Sequence, residues 1–182
     1  MYRKSGKKID ITITDLPAEQ NVSGPWAVSF QPDLGAPEEI EMSKLHSLSE
    51  HEDFGVKHFS GTATYTSTFE ASKRQKSDRL FLDLGGVSNL AEVTVNGENL
   101  GVLWKPPFSV DVTDVVKPGK NTLKVAVTNT WKNRLVGDSG LPESDRITWT
   151  WAKDKWFKPD EPLELSGLIG PVMLKTAREV RE

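Results

Sequence analysis

The chain has 182 residues, no cysteine and a formal net charge of -3 at neutral pH. Those values exclude disulfides, thiolate metal sites and a cysteine nucleophile. They also argue against nucleic acid as a partner, which calls for a basic stripe. At 36% hydrophobic and 27% charged, the composition is that of a soluble globular chain, long enough to bury one core without covalent staples. No apolar run reaches the roughly 18 residues that a membrane span requires.

The basic residues 1–8 read as a charged tail with no signal-type apolar core behind it. Residues 9–182 read as a single domain. Ile9, Ile11 and Ile13 alternate with polar residues and predict a first strand. After Pro17 and Gly24-Pro25, residues 26–30 alternate again and predict a second. Residues 31–57 are poorly periodic and predict a loop, with a short edge strand at residues 39–42 and a turn of helix at 43–48. The run SGTATYTSTFE at 60–70 sets Ala63, Tyr65, Ser67 and Phe69 on one face and four threonines on the other, a strong strand. Leu80, Leu82 and Leu84 form the next and stop at Gly85-Gly86.

Ala91, Val93 and Val95 lead to Asn96-Gly97, the dipeptide of a type I′ hairpin turn, and residues 98–103 return. Phe108, Val110 and Val112 predict another strand, residues 113–116 a helical turn, and Lys117-Pro118-Gly119-Lys120 a tight turn. Leu123, Val125 and Val127 then read as an inward-facing strand. From 129 to 141 alternation ceases, which predicts a loop. Residues 147–151 alternate Ile147, Trp149 and Trp151 against two threonines, predicting a strand with its tryptophans turned inward. Residues 153–161 are loop, and residues 170–176 supply the last strand. Nine or ten short strands without a long amphipathic helix predict an all-β fold. The expected form is a jelly-roll-like antiparallel β-sandwich with long loops at one end.

No phosphate loop, metal pair or nucleophile elbow occurs, and His46, His51 and His58 lack metal-ligand spacing. The carboxylates suggest no catalytic pair, and no catalytic residue is assigned. Two places can contact a ligand. In Trp104-Lys105-Pro106-Pro107-Phe108 the prolines break strand pairing, leaving Trp104 either to stack on a sugar, with Lys105 bonding a hydroxyl, or to fold over the core rim. In the segment after residue 129, Trp131, Asn133, Arg134 and Asp138 either bond sugar hydroxyls or tie their own loop together. The sequence calls for no cofactor; a structural calcium ion is compatible with it but leaves no mark in it.

The runs SGTATYTSTFE and LDLGGVSNLAEVTVNGENLGVLWKPPFSVDVTDVVKPGKNTLKVAVTN resemble the galactose-binding-like, sugar-binding-type β-sandwich of large family 2 glycoside hydrolases. TNTWKNRLVGD and SGLIGPVML are more similar to the C-terminal region of family 106 α-L-rhamnosidase-like enzymes. In such enzymes the catalytic carboxylates sit on a separate barrel. The resemblance therefore implies a non-catalytic accessory domain of a larger glycoside hydrolase, periplasmic or secreted, acting on polysaccharide, rhamnose-containing polysaccharide included. It implies carbohydrate, the catalytic domain of the parent enzyme, or both as partners. Two functions stay open: a carbohydrate-binding domain, or a structural module packed on the barrel. An independent glycosidase is the weaker third.

Overall fold

The computed structural model describes residues 18–75, 77–151 and 156–178. The tail and the strand expected at residues 9–14 lie outside them. The strands are β1 (Gln20–Asn21), β2 (Trp26–Phe30), β3 (Glu39–Met42), β4 (Thr62–Ala71), β5 (Asp78–Asp83) and β6 (Gly86–Ser88). They continue as β7 (Leu90–Val95), β8 (Glu98–Leu103), β9 (Ser109–Asp111), β10 (Gly119–Thr128), β11 (Gly167–Gly170) and β12 (Met173–Arg178). Two short helices, α1 (Phe54–Lys57) and α2 (Lys132–Ser139), lie outside the sheets.

A six-stranded sheet has the order β3-β2-β4-β10-β7-β8, and a four-stranded sheet the order β1-β12-β5-β9. Their strand pairs are all antiparallel. Period-2 patterning explains the packing: every second side chain of β4, β10 and β7 points to one buried face. Val28, Tyr65, Val93 and Val125 of the larger sheet share one core with Leu80, Leu82 and Leu174 of the smaller. The all-β sandwich expected from the sequence is the observed architecture.

The hairpin at Asn96-Gly97 forms as expected, with φ of 51° and 85° at its two residues. The Asn96 side chain donates to Val115 O and to Asn121 Oδ1, both at 2.8 Å, which pins the turns at that end of the sandwich. Gly167 marks a close approach in the core, since a Cβ there would stand 2.2 Å from the Tyr65 hydroxyl oxygen.

Four expectations need correction. Residues 132–139 are helix, not loop. Residues 147–151 form no strand, because they leave the sheets and run along the loop end. The helical turn expected at 43–48 falls later, as a 3-10 turn at Leu48–Glu50 and as α1. The last strand is two, β11 and β12, interrupted at Pro171, which has no N–H for a ladder.

Candidate functional site

The register of the larger sheet places the candidate segments at one end. Phe30, the last residue of β2, lies opposite Ala63 near the start of β4. Thr128, the last of β10, lies opposite Thr62 and also opposite Leu90, the first of β7. Leu103, the last of β8, lies opposite Ala91. The loops after β2, β8 and β10 therefore leave from the same edge. Trp104 and Trp131 emerge from strands separated only by β7, about 10 Å apart at their ends.

Trp104 is 67% exposed, and the Lys105 ammonium lies 5.1 Å from its ring centre, a cation over an open aromatic face. Trp131, at the N-terminus of α2, is 48% exposed. Leu90, on the strand between them, is exposed as well. So is Leu165, whose carbonyl accepts a hydrogen bond from the Ser88 hydroxyl just before β7. The strand break at residues 104–108 thus leaves its tryptophan open to solvent rather than folded over the core.

Asn133, Arg134 and Asp138 are only 2% exposed, and of the two roles the sequence leaves open for them, bonding sugar hydroxyls or tying their own segment together, their partners here are those of the second. Asn133 makes a reciprocal pair with the backbone of Glu164, donating to its oxygen at 2.8 Å and accepting from its nitrogen at 2.9 Å. Arg134 Nη2 donates to Leu34 O at 2.8 Å and to Gly55 O at 3.2 Å, and Nη1 faces Asp138 Oδ1 at 3.6 Å. Asp138 Oδ2 accepts from Ile147 N at 3.0 Å, Thr148 N at 2.6 Å and the Thr148 hydroxyl at 2.7 Å. One buried ion pair thereby ties the loop after β2, α1, α2 and residues 147–148 together. Burial pushes the Arg134 guanidinium below its ordinary value, with Asp138 opposing the shift. Space for the guanidinium comes from Gly35, where a Cβ would stand 2.8 Å from Nη2.

Trp149 and Trp151, expected in the core, are exposed instead and meet edge to face at 4.9 Å. Asp138 explains this: it holds the backbone at 147–148 to the surface of α2, so the residues beyond have no sheet to pack on. The same end carries a concave surface the sequence did not signal, a cleft of about 350 Å³ between α1, the C-terminal half of α2 and residues 159–163. Among the described residues, no three histidine, aspartate or glutamate side chains converge as metal ligands would.

Comparison with known proteins agrees with this architecture. The family described as the glycosyl hydrolase 2 galactose-binding domain-like domain matches residues 45–153. A candidate beta-glucuronidase of Formosa agariphila is 40% identical over 96% of this chain, which spans only 17% of that relative's length. A rhamnosidase structure from Novosphingobium sp. PP1Y superposes with a TM-score of 0.81 at 40% identity, over 94% of this chain and 16% of that one. A β-D-glucuronidase structure from Dictyoglomus thermophilum shares the fold, with a TM-score of 0.66 at 19% identity over 92% of this chain and 29% of that one. The chain belongs to the galactose-binding domain-like family of glycosyl hydrolase 2.

Proposed function

We propose that the chain is a non-catalytic accessory domain of a larger glycoside hydrolase acting on polysaccharide, and that its apolar loop end packs against the rest of that enzyme. The observation that carries this reading is the split between side chains at the loop end. Trp104, Trp131, Leu90 and Leu165 face outward, while Asn133, Arg134 and Asp138, the polar groups that could orient a sugar beside them, are consumed inside. A contiguous exposed apolar patch marks an interaction surface. The two 40% identical relatives are about six times longer, so most of such an enzyme would lie outside this chain and be available to cover the patch.

The carboxylates fit a non-catalytic role. Asp78, Asp83, Asp111 and Asp138 are each paired with a basic residue, to Arg178, Lys175, Arg79 and Arg134 respectively. A glycosidase needs two carboxyl groups flanking one sugar bond. The 40% identical rhamnosidase makes rhamnose-containing polysaccharide the first substrate to try for the parent. A polymer of that kind does not cross a membrane, so the parent enzyme would work in the periplasm or outside the cell.

Residue-level hydroxyl-radical footprinting tests the docking. Trp104 and Trp131 should label strongly in the isolated chain and be protected in the full-length parent. Equal labelling in both would remove the docking reading. Release of nitrophenol from aryl glycosides by the purified chain would remove the non-catalytic one. A second reading, that Trp104 and Lys105 hold sugar, draws on the 5.1 Å approach of the ammonium to the ring. It predicts protection of Trp104 in the isolated chain when oligosaccharide is added.

A further inference from the structure

We infer that the cavity between the chain leaving β1, the chain leaving β3 and residues 169–172 is a binding site for a monocarboxylate with an apolar body, an alkyl chain or an aryl ring. None of the loop-end patch residues lines it, so the inference does not rest on the docking of that patch. The ligand class follows from what the walls offer and from what two of their groups lack.

The cavity forms at the strand edges of the sandwich. Among the described residues, β1 ends the four-stranded sheet and β3 ends the six-stranded one, and the two edges do not pair with each other. Residues 21–23 and 43–45, where those strands end, line a space of about 430 Å³, within the ordinary range for small-molecule sites. Its walls are fixed by the fold. Val22 N donates to Val172 O at 2.8 Å, and the His46 ring donates from Nδ1 to Lys44 O at 3.1 Å. Leu45 packs on the turn at residue 170, where a Cβ on Gly170 would stand 3.0 Å from the Leu45 Cδ1.

The lining is mainly hydrocarbon: Val22, Leu45, Ile169, Pro171 and Val172, with Trp26, itself fully buried. Such walls favour an apolar body in proportion to the area it takes out of water. They present no open aromatic face, so a sugar ring has nothing to stack on.

Two groups specify the head. Trp26 Nε1 is buried and meets no acceptor among the described residues, and a buried donor left unmet is costly. The indole edge that carries it faces Gly24, where a Cβ would stand 2.6 Å from Cδ1 and 3.0 Å from Nε1. Gly24 follows Ser23, which lines the cavity, and its φ of 91° also calls for glycine. Lys44 brings a positive charge to the lining, while no aspartate or glutamate lines it. The Lys44 ammonium has no acidic partner among the described residues. The indole lacks an acceptor and the ammonium lacks an anion, and one carboxylate supplies both. The hydroxyls of Ser23 and Ser43 can donate to its remaining lone pairs.

The test is a titration of the 182-residue chain read by two-dimensional amide NMR, in which each tryptophan indole N–H gives its own peak. The probes are hexanoate and 3-phenylpropionate, with hexan-1-ol as a body without the charge and acetate as a head without the body. At least one of the two larger carboxylates should give saturable shifts confined to residues 21–26, 43–45 and 169–172, with a dissociation constant on the order of 1 mM. The Trp26 indole proton should move downfield with them. The tighter of the two tells an alkyl site from an aryl one. Hexanol should bind several times more weakly than hexanoate, and acetate should give no saturable shift. Lys44→Gln, at an exposed position, should weaken the carboxylates about three- to fivefold and leave hexanol unchanged. Leu45→Ala should weaken hexanoate and hexanol alike. No localised shift with either larger carboxylate at about 20 times that concentration would overturn the proposal. So would hexanol binding as tightly as hexanoate, which would make the cavity a seat for a neutral apolar group, or an affinity unchanged in Lys44→Gln. Because the footprinting of Trp104 and Trp131 reads a different surface, the two proposals fail separately.

Discussion

The sheets and the loop end of this molecule bury opposite kinds of side chain. In β4, β10 and β7 the inward positions are Tyr65, Phe69, Leu123, Val125, Val93 and their apolar neighbours, and the ladders satisfy the backbone. At the loop end Asn133, Arg134 and Asp138 turn inward while Trp131, Trp149 and Trp151 turn outward. The difference follows from backbone hydrogen bonding. A ladder leaves a strand free to bury hydrocarbon, whereas irregular chain brings unpaired N–H and C=O groups inside, and only polar side chains can meet them there. Arg134 meets the carbonyls of Leu34 and Gly55, Asp138 meets the amides of Ile147 and Thr148, and Asn133 meets both groups of Glu164.

The sharpest way to break the comparison is to remove one tie from each region. Arg134→Met strands the Asp138 charge and two carbonyls in the interior, and should cost about 3–5 kcal/mol in urea unfolding. Leu123→Ala opens a cavity under the fully buried centre of β10, and should cost about 2–5 kcal/mol. Native-state hydrogen exchange separates the two. The first variant should accelerate exchange at residues 55–59 and 147–148 ahead of the β4–β10 ladder, and the second should accelerate the ladder itself. Identical exchange patterns would mean that the two regions unfold as one and that the contrast is only chemical.

Legibility in the sequence divides along the same line. The strands could be read because their buried residues are apolar and two apart; β2 and β3 fall at their expected bounds, and the Asn96-Gly97 turn at its residues. Helix α2 could not be read that way, because its buried face consists of Asn133, Arg134, Gly137 and Asp138 with Val136 alone apolar. The usable signal was charge spacing: Arg134 and Asp138 stand four apart, the separation that faces two side chains on one helical turn. The alternation at 147–151 misled for the converse reason. Its period is that of a strand, but Asp138 and Thr148 hold it outside the sheets, and no strand edge reaches it. Of the candidate site, the break in strand pairing after Trp104 was readable from the two prolines, but not that its indole stays open to solvent, since a ring at a strand end can equally fold over the core rim. The cleft was not, since Phe54 and His58 reach residues 159–163 only through the placement of α2.

The sheets have a polar tie of their own, and pH exposes it. Asp78, at the start of β5, accepts from Arg178 Nε on β12 at 2.8 Å and from Gln75 N at 3.0 Å. The hydrogen bond from Arg178 holds the carboxyl below its usual 3.8, against the effect of burial. A depressed folded-state value means that the unfolded chain binds the proton more readily. The stabilisation is therefore complete above the ordinary carboxylate range and is lost as pH falls through 3.8 toward the lower folded value. Asp78→Asn should lower stability by roughly 1.5–3 kcal/mol at pH 7. It should also flatten the fall in stability below pH 4, leaving the parts due to Asp83, which Lys175 holds down in the same way, and to Asp111, where burial is outweighed by hydrogen bonds from Thr113 and Arg79. A parallel acid limb in variant and parent would show that Asp78 is not part of it.

The smallest effect is expected where the tryptophans are most conspicuous. Trp151 is 91% exposed and touches Trp149 edge to face, so its removal forfeits one aromatic contact and almost no burial. Trp151→Ser should therefore change stability by no more than about 0.5 kcal/mol, an order of magnitude below the tie at Arg134. A loss of 2 kcal/mol or more in the isolated chain would show that the indole is covered in solution, and that hydrocarbon as well as polar ties holds the loop end. Within the parent enzyme the expectation differs. If the exposed aromatics meet another domain, the same substitution should become costly there, and the gap between its effects in the two settings measures how much of the loop end's apolar surface is a contact rather than a surface.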